Sequence, residues 1–187
     1  MVAWAPAALA VTTSASGAEY TLTAQKDAAA QDLIYQHQSV NAANAGAVAV
    51  EMGHAYSKLS FLATAGNGYT GAANLTQVQI TGGIYATGTL NMVDGKVDPV
   101  GTATGTLTLA AGEKALVIPM AGQPTIAVTC TIDGKEFTAN IKADTMPSLL
   151  AGVEYEITLT VVGQEAVISS VKEVPWTTTK VDGGTIF

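Results

Sequence analysis

The chain has 187 residues, of which 48% are hydrophobic and only 12% charged, so a sizeable core can form beneath a sparsely charged surface. Its net charge is −7, and its basic residues are all lysines, with no arginine. Because nucleic-acid recognition needs a basic face and draws heavily on arginine, this balance argues against a nucleic-acid partner. No run of 18 apolar residues exists, so we expect no direct membrane span.

Short segments in which apolar and polar residues alternate recur along the chain, which is the pattern of half-buried strands. The first is 18–24, and the polar, alanine-rich segment 25–47 that follows favours a short helical turn and then a loop. Residues 75–93 predict two strands separated by a break at Gly82-Gly83.

In segment 48–63 the hydrophobic face changes sides. Met52 and His54 share one face, whereas Leu59 and Phe61 lie on the opposite one. A one-residue β-bulge within 56–58 would bring both halves onto the same core, so we predict a bulge there.

Three turns predict hairpins farther along the chain. Asp-Gly pairs at 94–95 and 133–134 stand between alternating apolar residues, a strong hairpin signal because both turn residues can adopt positive φ. A third hairpin turns near Gly163-Gln164. We expect the following side chains to face the core: Ile126, Val128, Cys130, Ile132, Phe137, Ala139, Ile141, Tyr155, Ile157, Leu159 and Val161.

The pattern as a whole predicts an all-β fold of two antiparallel β-sandwich domains, of transthyretin-like or Greek-key topology. The alternation is interrupted within 106–120, so we place an N-terminal domain at 1–111 and a C-terminal domain with a tail at 112–187. Strand-like sequence follows Met1 directly, which favours a processed or truncated chain whose first domain lacks its first strand or strands.

No constellation of catalytic or metal-binding residues stands out, so we expect no enzyme, no cofactor and no metal. The two histidines have no metal-ligand spacing, and no Gly-x-Ser-x-Gly motif or phosphate-binding glycine loop occurs. His54 is more simply a partly buried residue bonded to backbone than a ligand or base. The single cysteine, Cys130, is expected to be a small buried hydrophobe. In "DTM", Thr145 is a possible O-glycosylation position, and a turn explains it equally well.

An ordered series of motifs carries a resemblance to a known family. It begins with "QDLIYQHQSV" (31–40) and "HAYSKLSF" (54–61), and it continues with "VQITGGIYATGTLNMVDGKV", "KALVIPM", "TIDGKEF", "LLAGVEYEITLTV" and "VKEVPW". In this order the motifs resemble the fimbrillin family, the subunits of type V pili of Bacteroidales. His54, Lys58, Leu59 and Phe61 match the family's signature strand, where we expect structural roles.

The resemblance implies a structural pilin that is exported as a lipoprotein, trimmed by a protease and polymerised by donor-strand exchange. Its partners would be other pilin subunits in a homo- or heteropolymer, and host or bacterial surface ligands. It would act at the bacterial cell surface, in an extracellular fimbrium exported via the outer membrane. An alternative is a pilus-tip adhesin or glycan-binding sandwich, which would need an exposed aromatic platform.

The C-terminal tail is the candidate donor segment. Its apolar side chains are Val171, Val174, Trp176, Val181, Ile186 and Phe187. The tail after Val171 is either the last strand of the second domain or the donor strand itself, and Pro175 favours a sheet edge or a strand exchange.

Overall fold

The computed structural model describes residues 1–14, 17–39, 50–122, 125–176 and, for the backbone, 179–181. These residues form strands and no helix, which confirms the all-β prediction. The strands are β1 Val2–Ala5, β2 Thr12–Ser14, β3 Gly17–Thr23, β4 Gln25–Lys26, β5 Ile34–His37, β6 Val50–His54, β7 Ser57–Ala65, β8 Leu75–Ile84, β9 Thr87–Asn91, β10 Val97–Val100, β11 Gly105–Ala110, β12 Ala115–Val117, β13 Met120–Ala121, β14 Ile126–Ile132, β15 Lys135–Ile141, β16 Ser148–Leu149, β17 Val153–Val162, β18 Glu165–Pro175 and β19 Thr179–Val181.

The strands are arranged in four main sheets and one small one. Two four-stranded sheets have the orders β1-β5-β6-β19 and β10-β9-β3-β2. A third has the order β11-β8-β14-β15, a five-stranded sheet has the order β18-β17-β7-β12-β4, and β13 pairs with β16. Among the described strands, β7 and β17 form the single parallel pair, and the other pairs are antiparallel as predicted.

Two hydrophobic clusters lie between these sheets. The first cluster joins the five-stranded sheet to the β11-β8-β14-β15 sheet, through residues such as Leu59, Ile80 and Ile157. The second cluster joins the other two sheets, with Leu22 and Leu90 from β3 and β9 on one side and Trp4 and Tyr35 from β1 and β5 on the other. Facing sheets that share a core are the arrangement of β-sandwiches.

The segment around β12 lies between the two clusters. Ala115 and Val117 belong to the first cluster, whereas Leu116 and Ile118 belong to the second, and all four are fully buried. A strand covered on both faces is apolar at every position rather than alternating. The predicted division at residues 111 and 112 stays a prediction, and the first cluster includes residues from both sides of it.

The change of face in segment 48–63 has a different cause from the predicted bulge. β6 ends at His54 and pairs with β5 and β19, whereas β7 begins at Ser57 and pairs with β12 and β17. The chain therefore passes from one sheet to another at residues 55–56. Each strand keeps its own alternation, and no bulge is needed.

The three predicted hairpins are present. β9 and β10, β14 and β15, and β17 and β18 pair antiparallel around the predicted turns. Asp133 and Gly134 have φ values of 50° and 75°, the left-handed conformation that a two-residue turn of this kind requires. The core faces predicted for these strands are buried.

Segment 25–47 differs from its prediction. Its described part, 25–39, contains β4, a single turn at 29–31 closed by a bond from the Asp32 amide to the Ala28 carbonyl, and then β5 where we expected a loop. No helix among the described residues is long and apolar enough to cross a membrane.

Candidate functional site

Trp176, the residue that follows β18, lies beside two residues of the signature strand. Its ring centroid is 3.7 Å from that of His54, and the two ring planes are inclined by only 13°. The Nζ of Lys58 lies 3.6 Å from the centroid of the Trp176 ring. An ammonium group at this distance is attracted by the negative face of the indole.

Two aspartates pair with these two side chains, one with the imidazole of His54 and the other with the ammonium of Lys58. Nδ1 of His54 lies 2.8 Å from Oδ2 of Asp32, and Nζ of Lys58 lies 2.7 Å from Oδ2 of Asp27. The side chains of His54 and Lys58 are only 8% and 10% exposed, so each needs a polar partner to offset its desolvation. We call Asp27, Asp32, His54, Lys58 and Trp176 the signature cluster.

The sheets bring these residues together from four separate segments. Asp27 and Asp32 lie between β4 and β5, His54 is the last residue of β6, and Lys58 is the second residue of β7. Lys58 is opposite Leu116 in the register of β7 and β12, on the sheet face that the second cluster covers. Burial of Lys58 therefore follows from its place between the two clusters.

A second ion pair lies next to the signature cluster. Nζ of Lys114 donates a hydrogen bond of 2.7 Å to Oε1 of Glu154, which is opposite Lys58 in the register of β7 and β17. Burial raises the pKa of Glu154, but hydrogen bonding and the positive charges of Lys114 and Lys58 together outweigh it, and the net shift is downward. Lys58 thus has one carboxylate as its own partner and a second ion pair on the neighbouring strand.

The predicted bulge would have put Leu59 and Phe61 on the same core as Met52 and His54, but β6 and β7 belong to different sheets. Leu59 and Phe61 lie in the first hydrophobic cluster, on the face opposite to Lys58. His54 was expected to bond to backbone, whereas the bond at its Nδ1 goes to the carboxylate of Asp32. Asp27 and Asp32 were not predicted as partners, although a buried lysine and histidine call for nearby carboxylates.

The tail runs between two sheets. Val171 and Val174 lie in β18, the edge strand of the five-stranded sheet, and both are partly buried. The Trp176 amide then donates to the carbonyl of Gly152 at 3.4 Å. The backbone of 179–181 pairs with β6, with Val181 opposite Val50. Ile186 and Phe187 lie outside the described residues.

Two other predicted positions have clear surroundings. Thr145 is exposed in a turn between β15 and β16, and its hydroxyl donates to the Asp144 carboxylate at 3.2 Å. Cys130 is fully buried, and burial raises the pKa of its thiol to about 11, so it is the small buried hydrophobe that was predicted. Within the described ranges, no three or more His, Cys, Asp or Glu side chains converge as metal ligands would.

Comparison with known proteins identifies the class to which this fold belongs. The model of the fimbrillin-like family matches residues 1–176, a range that ends at Trp176 of the signature cluster. The chain therefore belongs to the fimbrillin-like family, as its motifs predicted. This is a family of structural fimbrial proteins rather than of enzymes. No curated protein matches the chain.

Solved structures of proteins from Bacteroides species share the fold. A protein of Bacteroides uniformis described as a cell adhesion protein superposes with a TM-score of 0.71 at 23% identity, covering 94% of this chain and 72% of its own. A similarly described protein of Bacteroides ovatus gives 0.68 at 18% identity, with 94% and 67% covered. A fimbrial protein of Bacteroides vulgatus gives 0.51 at 11% identity, with 94% and 77% covered.

Proposed function

We propose that the chain is a structural pilin that polymerises by donor-strand exchange into type V pili and supports adhesion at the bacterial cell surface. Family membership supports the coarser role of a fimbrial or adhesion subunit. The partners are then other pilin subunits, and the ligands are molecules on host or bacterial surfaces. Export via the outer membrane belongs to the same proposal.

The observation that carries the proposal is the path of the tail. β6 has β5 on one side and residues 179–181 on the other, so without the tail β6 would be an open sheet edge. An edge strand offers unpaired backbone donors and acceptors to any extended segment. A segment that adds to a sheet edge within its own chain has the geometry needed to add to the edge of another copy.

We propose that the donor is the part of the tail beyond Trp176. β18 is paired with β17 along its whole length, through Val171 and Val174, and this anchors the tail to its own subunit. The segment 177–187 follows that anchor and includes Val181, Ile186 and Phe187. Each large apolar side chain that fills a pocket of a second copy would contribute roughly 1.5–3 kcal/mol.

The test is a variant that lacks residues 177–187, produced beside the full chain in a Bacteroidales host. The full chain should form filaments in negative-stain electron microscopy, whereas the shortened chain should stay monomeric with its fold retained by circular dichroism. Shortened copies mixed into an assembling population should cap growing ends and shorten the filaments. Filaments of normal length from the shortened chain alone would show that the tail is not the donor.

The tip-adhesin alternative has less support from the described residues. Glycan binding by a sandwich of this kind calls for exposed aromatic faces, whereas Trp4 and Trp176 both pack against the second cluster. Glycosylation at Thr145 stays a proposal, supported by the exposure of this residue in its turn. The intact mass of the protein from a Bacteroidales host, compared with that of Thr145→Ala, tests it.

A further inference from the structure

One face of the five-stranded sheet collects three of the exposed large hydrophobic side chains. The three are Leu62, Val162 and Val167. The other exposed large hydrophobic side chains among the described residues are Met1, Val100 and Leu150. Leu62 is opposite Thr158 in the register of β7 and β17, and Val167 is opposite Thr160 in that of β17 and β18. Thr158, Thr160 and Val162 alternate along β17 with buried core residues, so the three exposed apolar side chains share the outer face.

The polar groups between them are bonded to one another. The hydroxyls of Thr64 and Thr160 are 3.0 Å apart, and the Thr160 hydroxyl bonds to that of Ser169 at 2.7 Å. The Ser169 hydroxyl also donates to the Thr158 carbonyl at 3.2 Å. These hydroxyls can therefore be covered without losing their partners. We call Leu62, Thr64, Thr158, Thr160, Val162, Val167 and Ser169 the Leu62 face.

Charged residues lie only at the borders of the Leu62 face. Glu156 and Lys172 are opposite each other, with Glu156 two residues before Thr158 in β17. Glu165 is opposite Val162 at the hairpin end. The other end of the same sheet face, at Lys58 and Leu116, is already covered by the second hydrophobic cluster. The Leu62 face thus continues a surface whose other half is a packed interface.

The net charge of the chain and the area of the Leu62 face bear on which partner covers this face. Copies with a net charge of −7 repel one another over most contacts, and a surface without charges is where two copies meet at least electrostatic cost. Three strands about 4.8 Å apart and about five residues long give roughly 250 Å² on each partner. This is well below the about 800 Å² per partner that a stable pair buries. Such a contact holds only where many copies are arrayed and act together.

We propose that the Leu62 face is a self-association surface through which copies in neighbouring filaments pack side by side. The occupant is the same face of a second copy, in a two-fold symmetric contact that excludes water from Leu62, Val162 and Val167. This inference rests on the proposed function, because the filament supplies the array. Isolated monomers do not dimerise through it.

The experiment compares Leu62→Lys with Leu150→Lys, since both leucines are 49% exposed and only Leu62 lies on the face. Each substitution changes the net charge from −7 to −6, which weakens general repulsion between copies, so a loss of bundling cannot be attributed to net charge. Filaments are scored for lateral bundles by electron microscopy and by low-speed sedimentation. Val167→Lys is a second variant on the face, with Val100→Lys as its control.

We expect the Leu62→Lys and Val167→Lys filaments to show at least about a fivefold loss of bundles, because each two-fold contact acquires two like charges. The number and length of single filaments should equal those of the wild type and of the two controls. Wild-type filaments that never bundle, or bundles that survive both substitutions, would overturn the self-association surface and leave the proposed function standing. Absence of filaments from the wild type would overturn the proposed function itself.

Discussion

At the scale of single residues, Trp176 connects the tail to the rest of the molecule. Its indole is stacked on His54 and contacts the ammonium of Lys58, and it packs against the second cluster. His54 and Lys58 are in turn fixed by Asp32 and Asp27. The members of the signature cluster therefore form a mutually bonded set.

We expect Trp176→Ala to lower the free energy of unfolding by about 2–3 kcal/mol. The substitution removes a partly buried aromatic side chain together with its cation–π contact. Urea denaturation followed by circular dichroism measures the loss. Trp176→Phe should lose about half as much stability as Trp176→Ala, whereas Val100→Ala, at an exposed site, should change it by less than about 0.5 kcal/mol. A Trp176→Ala variant as stable as Val100→Ala would contradict this role.

The pair of Lys58 and Asp27 gives a second prediction. Asp27→Asn leaves a buried ammonium without its counter-charge and should cost about 2 kcal/mol of stability. Lys58→Met removes the charge and keeps the length of the chain. The double variant should therefore cost less than the sum of the single variants, as a double-mutant cycle measures. Strictly additive losses would mean that the two charges do not interact.

At the scale of elements, the turn between β14 and β15 fixes a neighbouring loop. The Asp133 carboxylate accepts hydrogen bonds from the Tyr69 hydroxyl at 2.7 Å and from the amides of Ala73 and Asn74 at 2.9 Å each. These bonds, with that from Tyr69 the largest influence, hold the pKa of Asp133 below its ordinary value. The hairpin turn thus serves as an anchor for the loop between β7 and β8.

The stabilisation of this loop should depend on pH. Because the pKa of Asp133 is lower in the folded protein than in the unfolded one, its contribution is complete above about pH 4 and is lost as the pH falls through the folded pKa. Hydrogen exchange should show protected Ala73 and Asn74 amides above that pH and less protection below it. In Asp133→Asn the pH dependence should vanish. Persistence of the wild-type pH profile in Asp133→Asn would contradict the assignment.

Local patterns predicted the elements better than their partners. The hairpins at Asp133-Gly134 and Gly163-Gln164 were predictable because turn chemistry and alternation are encoded within a few residues. The passage from β6 to β7 was not, because a bulge and a change of sheet produce the same switch of face in the sequence. The parallel pairing of β7 with β17 depends on segments far apart in the chain, which alternation does not specify.

The signature cluster shows the same limit. The motifs containing Asp32, His54, Lys58 and Trp176 were visible as an ordered series, yet nothing in the series indicates that these side chains touch. Their contacts arise because β6, β7 and the end of β18 meet where the two hydrophobic clusters adjoin. Asp27 was missed because a single acidic residue in a polar segment has no distinguishing pattern.

At the scale of the whole molecule, the tail links the sheets that enclose the first hydrophobic cluster to those that enclose the second. β18 pairs with β17 in the five-stranded sheet, and Trp176 packs against the second cluster. Residues 179–181 then pair with β6 in the β1-β5-β6-β19 sheet. One continuous segment thus completes an edge in both. Its transfer to another copy would make a head-to-tail contact, and contacts of that kind generate open polymers when they do not close into rings.

Cryo-electron microscopy of filaments collected from a Bacteroidales host that produces the full chain tests the central claim most directly. The proposed function predicts continuous density for residues 177–187 running from each subunit onto a sheet edge of the next one. Filaments in which every tail stays on the β6 of its own subunit, or a chain that remains monomeric under assembly conditions, would contradict it.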